Sequence, residues 1–149
     1  MAEDMNFAID IDDEKPWNVD YNGEQARMLV PTLLNPQVRP LVVRDSDGYG
    51  LSHYAGNRNV FESENRLGLQ EVSHGSSHTL LVGEVNSNFQ AWAKPRTSRD
   101  PALGINRSPN GFGSPTGNGA QFLMSDGSVK QLSNDTDPAV LKSLGATKQ

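Results

Sequence analysis

TGNGAQFLMSDGSVKQL, residues 116–132, reads as a β-hairpin. Residues 121–124 and Val129–Leu132 are short apolar-containing runs joined through Ser125-Asp126-Gly127-Ser128. Asp-Gly is a preferred centre of a two-residue type I′ turn, whose central residues both need φ > 0. That turn sets a register in which Met124 opposes Val129 and Phe122 opposes Gln131. Phe122, Met124 and Val129 then share the buried face, while Gln121, Leu123, Lys130 and Leu132 share the other. Asp126 and Gly127 are the structural motif of this stretch, and it specifies structure rather than a reaction.

Working outward, residues 79–85 (TLLVGEV) are the most apolar run and predict a central strand, because they do not alternate. Residues 89–93 predict a strand returning beside it, with Trp92 packed on the sheet. Residues 138–144 predict a short helix with Asp137 as N-cap, Pro138 at N1 and Gly145 at C′. A second helix starts at Asn22, with Gln25 in capping-box position, and stops near Leu29 and Val30 because Pro31 follows. Residues 41–44 are a candidate short strand. Residues 53–57 read as extended and then turning, and residues 58–69 as a polar loop. The elements predict an α+β, mainly β fold: an antiparallel sheet with short flanking helices and long loops.

The totals narrow the function. One domain of 149 residues carries 13 basic and 18 acidic residues, a net charge of -5 that argues against nucleic-acid binding. The absence of cysteine excludes disulfides, thiolate metal sites and cysteine catalysis. No run approaches the ~20 apolar residues of a membrane span, and the chain as given carries no signal segment. Residues 1–15 hold six acids and form a solvated, mobile segment; residues 16–149 form the domain, with Trp17 docked on it.

Four places carry groups that chemistry could use. Asp45-Ser46-Asp47-Gly48-Tyr49-Gly50 places Asp45, Asp47 and Gly50 at positions one, three and six of a calcium loop. Tyr49 and Gly56 then occupy positions five and twelve, where oxygen ligands are needed, so the motif fails and an Asp/Gly turn is the better reading. Asp45, Asp47 and Asp126 remain the calcium candidates; no other metal or cofactor is expected. His74 and His78 are four apart, but Gly75 and two serines oppose the helix that would make them a zinc pair. Residues 94–119 form a long polar loop, solvated by default, in which Lys94, Arg96, Arg99 and Arg107 concentrate positive charge beside Trp92. Glu84, an acid on an apolar strand, needs a partner if buried. P-loop, dinucleotide, nucleophile-elbow and H-E-x-x-H patterns are absent, and no enzyme activity is expected.

Several blocks occur in a recognisable order. They are Trp17-Asn18 with Asn22, Tyr54-Ala55-Gly56-Asn57, the run from Gly75 through Glu84, Trp92-Ala93-Lys94-Pro95, and the run from Ala120 through Lys130. Together they resemble the body of a pseudopilin-like bacterial family whose C-terminal signature is His, nine residues, then Asp-Gly. The position ten before Asp126 is Thr116, so half of that signature is present. The resemblance implies a pilin-like globular head in the cell envelope, like a type II secretion or type IV pilin subunit. It implies protein partners or self-assembly, with membrane attachment only through an N-terminal helix missing from this chain. The alternative is an extracytoplasmic module using Trp92, Arg96, Arg99 and Glu84 to bind a glycan or other anionic polymer.

Overall fold

The computed structural model describes residues 9–62 and 79–145, and these form an α+β fold. Its strands are β1 (Leu51–Ser52), β2 (Tyr54–Gly56), β3 (Leu80–Glu84), β4 (Gln90–Ala91), β5 (Ala120–Met124) and β6 (Val129–Leu132). Its helices are α1 (Asp20–Ala26), α2 (Arg58–Phe61) and α3 (Pro138–Gly145), with 3-10 turns at Pro31–Leu33 and Pro101–Leu103. One antiparallel sheet has four strands in the order β2-β3-β5-β6, and a second pairs β1 with β4. β3 is central, as its continuous apolar run predicts.

β4 does not return beside β3. It pairs with β1, Leu51 opposite Ala91 and Ser52 opposite Gln90, while β2 takes the edge of β3. The chain passes from one sheet to the other at His53, which donates no ladder bond to either. Its N–H bonds the Leu33 carbonyl at 2.8 Å and its carbonyl accepts from Val85 at 3.1 Å. Residues 41–44 contribute one bridge, Arg44 with Gly50, rather than a strand. The polar loop expected from residue 58 begins instead with the single turn α2, capped by the Asn57 side chain on the Asn59 N–H at 3.0 Å.

The hairpin forms, in a register one residue from the expected one. Leu123 opposes Val129, and Phe122 opposes Lys130. Gly127 alone takes a left-handed φ, +81°, and donates to Met124 O at 3.0 Å, while Met124 N donates to Ser128 O at 2.8 Å. This is a three-residue loop closed by an αL glycine, the second common solution for right-twisted strands. The shift sends Val129 to solvent beside Leu123, and Lys130 and Leu132 to the inner face with Phe122 and Ala120.

The core contains Ala55, Leu80, Val85, Ile105, Phe112, Ala120, Phe122, Met124 and Leu141. Two of these, Ile105 and Phe112, come from the loop expected to be solvated. Phe112 meets Phe122 edge-on, with centroids 5.2 Å apart. Gly83 makes that meeting possible, since a Cβ there would lie 2.5 Å from the Phe122 ring and 2.7 Å from Phe112. The loop is held by asparagines. Asn106 donates to Asn134 Oδ1 at 2.6 Å and to Gly119 O at 3.1 Å, and accepts from Asn86 at 2.8 Å. Backbone groups buried away from water need partners, and here side-chain amides supply what strands would otherwise supply.

α3 is capped as expected, the Asp137 carboxylate accepting from Ala139 N at 2.8 Å. Gly145 is its last residue rather than a left-handed C′, and lies buried on Pro101. Asn22 is not an N-cap. It is buried inside α1, accepts from Asp12 N at 2.9 Å and donates to the carbonyls of Asp12, Lys15 and Pro16. α1 also ends earlier than expected, at Ala26. The last residues of the acidic segment are therefore tied down, and Trp17 docks with its ring 4.9 Å from that of Tyr49.

Candidate functional site

Glu84 is 5% exposed, and both carboxylate oxygens accept hydrogen bonds: Oε1 from Asn35 Nδ2 at 2.8 Å, Oε2 from Gln121 N at 2.7 Å. Asn35 continues the chain. Its backbone N–H donates to His53 Nδ1 at 2.9 Å, and its Oδ1 accepts from Gln37 N at 2.9 Å. Since Nδ1 accepts, the other ring nitrogen of the neutral imidazole carries the proton, and Nε2 donates it to Val42 O at 2.7 Å. His53 is fully buried, with its ring 4.4 Å from that of Phe89. The chain from Val42 through His53, Asn35 and Glu84 to Gln121 thus ties the 35–42 loop to β3 and β5. Tyr54, the ladder partner of Glu84, feels this acid: burial raises its phenol above the usual value, and the Glu84 charge adds to the shift.

Trp92 and Arg99 line one cleft of about 220 Å³, together with Tyr54, Gln90 and Thr97. Arg96 and Arg99 line an adjoining groove of about 250 Å³ with Arg58, Lys94 and Asn110. Trp92 is oriented by its Nε1 bond to Met28 O at 2.9 Å. Arg99 is 6% exposed. Nη1 donates to Pro109 O at 3.0 Å, and Nη2 to the carbonyls of Ser87 and Asn88 at 3.2 and 2.7 Å. Burial lowers its pKa, and the nearby Arg58 charge lowers it further. Arg96 and Lys94 are exposed, and Arg96 has a left-handed φ of +57°.

Of the four sequence candidates, Trp92, Arg96 and Arg99 therefore gather along one furrow, while Glu84 lines neither cleft and belongs to the buried chain. Arg107 is spent elsewhere, its guanidinium reaching Asn134 O at 3.3 Å. Sequence reasoning missed Arg58, Tyr54 and Asn35. Arg58 joins the furrow because Asn57 bridges Arg99, and Arg58 N donates to Arg99 O at 2.9 Å. That pairing spans some forty residues and leaves no local signal.

The Asp45 turn is closed on itself. Asp45 Oδ1 accepts from Asp47 N at 3.0 Å and Tyr49 N at 2.9 Å, and Gly48 sits at φ +85°. Arg27 bonds the Asp47 carbonyl and lies over the Tyr49 ring, 4.5 Å from its centroid. In the hairpin turn, the Ser128 hydroxyl and N–H both donate to Asp126 Oδ1, at 2.6 and 2.9 Å, and hold its carboxyl below the usual range. Among the described residues, no three His, Asp or Glu side chains gather to hold a metal, and no helix is long and apolar enough to cross a membrane. His74 and His78 lie outside the described residues. No protein family, curated protein or solved structure matches this chain.

Proposed function

We propose that this is a non-catalytic interaction domain, the globular head of a pseudopilin-like envelope protein. The observation behind this reading is where the buried polar groups are spent. His53, Glu84 and Arg99 would be the natural reactive groups, yet each has its hydrogen bonds committed to holding loops against the sheet. A reactive acid or base needs a lone pair or proton within reach of a substrate. A scaffold that presents loops to a partner needs those loops fixed, which these bonds do. The order of the Trp17, Tyr54, Trp92 and Ala120 blocks supports the same assignment.

The test is to fractionate source cells and map the protein's N-terminus by mass spectrometry. Apolar sequence upstream of Met1, in a membrane or sheared-fibre fraction, is the expected result. A product starting at Met1 in the soluble fraction overturns the pilin-like reading.

A further inference from the structure

The furrow formed by the two adjoining clefts concentrates charge against the trend of the chain. Overall the protein carries -5, yet Arg58, Lys94, Arg96 and Arg99 line one groove. The acid paired with Arg58 is Glu62, which is already engaged. It lies 3.9 Å from Arg58 Nε and accepts from Ser98 N at 3.1 Å. Lys94 Nζ donates to the Gln90 amide oxygen at 3.0 Å. Like charges gathered in one groove repel one another, and the repulsion of Arg99 by Arg58 is part of what lowers the pKa of Arg99. An anion in the groove relieves that repulsion.

The neighbouring cleft states what else the ligand must offer. It shares Gln90, Thr97 and Arg99 with the basic groove and adds Trp92 and Tyr54. Aromatic faces suit the apolar faces of sugar rings, and amide and hydroxyl side chains suit their hydroxyls. The furrow is built without the ligand, since Trp92 is fixed by Met28 and Arg99 by three carbonyls. Little ordering is left for binding to impose.

We infer that the furrow running from Trp92 to Arg96 binds an acidic polysaccharide, pairing its carboxylate or sulfate groups with Lys94, Arg96 and Arg58 and its sugar rings with Trp92 and Tyr54. This inference is independent of the pilin-like reading, because it needs no particular terminus or assembly.

The experiment titrates the whole chain with polygalacturonate and with heparin at low ionic strength, with neutral dextran and polyglutamate as comparisons. Saturable, salt-weakened binding to one or both polysaccharides is expected, and the tighter of the two names the anionic group. Lys94 and Arg96 are exposed, and among the described residues their side chains make no hydrogen bond or ion pair beyond the Lys94 bond to the Gln90 amide, so Lys94→Ala/Arg96→Ala keeps its melting temperature. It weakens binding about tenfold or more, as the loss of charge-assisted contacts implies. Lys142→Ala, on α3, leaves binding unchanged. Three outcomes overturn the inference: no binding of either polysaccharide, binding that the double variant does not weaken, or equal affinity for polyglutamate.

Discussion

The β5–β6 hairpin and the loop of residues 94–119 share the core, where Phe122 from the hairpin meets Phe112 from the loop. They arrive by different physics. The hairpin satisfies its backbone locally, strand on strand, around one glycine that a left-handed turn requires. The loop contains almost no strand pairing of its own. It reaches the core through single residues, Ile105 and Phe112, and is pinned by Asn86, Asn106, Asn134 and the Arg99 guanidinium. Local pairing leaves a pattern in sequence, whereas pinning by distant amides leaves only scattered Asn, Gly and Pro.

The loop is as much a part of the core as the sheet, and Phe112→Ala is the substitution that tests this most severely. Emptying a fully buried phenylalanine site costs about 3–5 kcal/mol, visible in urea unfolding. A solvated loop would show almost no change. Next in size is Asn106→Ala, which removes the acceptor of the Asn86 amide and one of the two donors to both Gly119 O and Asn134 Oδ1, which keep Ser114 N and Gly119 N. About 1–3 kcal/mol is expected, and Asn106→Asp, keeping size but not the donors, recovers little of it.

The hairpin should be more forgiving. No atom lies within 4 Å of a Cβ added at Gly127, so Gly127→Val costs only the left-handed strain, about 1–2 kcal/mol. Gly127→Asn is nearly neutral, because asparagine tolerates this region. At Gly119, φ is similar at +80°, but an added Cβ would strike the Leu132 carbonyl, so Gly119→Ala should be worse than Gly119 replaced in open space predicts. Equal melting temperatures for Gly127→Val and wild type would remove the αL turn.

The smallest effects are electrostatic and read the two regions by pH. Asp126 in the hairpin has a depressed carboxyl, so its contribution is present above the unfolded pKa and is lost as pH falls through the folded one. Ser128→Ala removes the main cause and flattens that acid limb. Tyr54, in the cleft beside Glu84, has a raised phenol. Its contribution is full below the unfolded tyrosine pKa and is lost as pH rises through the folded value. An absorbance titration should show one of the three tyrosines ionising late, and Tyr54→Phe should delete that phase.

Much of the candidate site was legible, and the reason is compositional. Trp92, Lys94, Arg96 and Arg99 lie within eight positions of one another, so any folding of that segment keeps them close. Arg58 and Tyr54 were not legible, because their approach depends on the Asn57–Arg99 bridge and the β2–β3 ladder. Glu84 was read correctly as an acid needing partners, but Asn35 and Gln121, which supply them, lie far along the chain in either direction.

By itself the sequence determined what local chemistry controls. It placed the central strand β3 by its unbroken apolar run, the Asp137 cap of α3, the self-closing Asp45 turn and the presence of a turn at Gly127. Tertiary structure decided what depends on pairing at a distance. Asp-Gly suits both a two-residue and a three-residue loop, and Phe122 and Met124 are buried in either register; the difference lies in β6, where the observed register packs Leu132 against the core and exposes Val129. Likewise, the pairing of Gln90–Ala91 with β1 rather than β3 goes with the switch between sheets at His53, whose ring is buried against Phe89 and held by bonds to Asn35 and Val42 that no local pattern encodes.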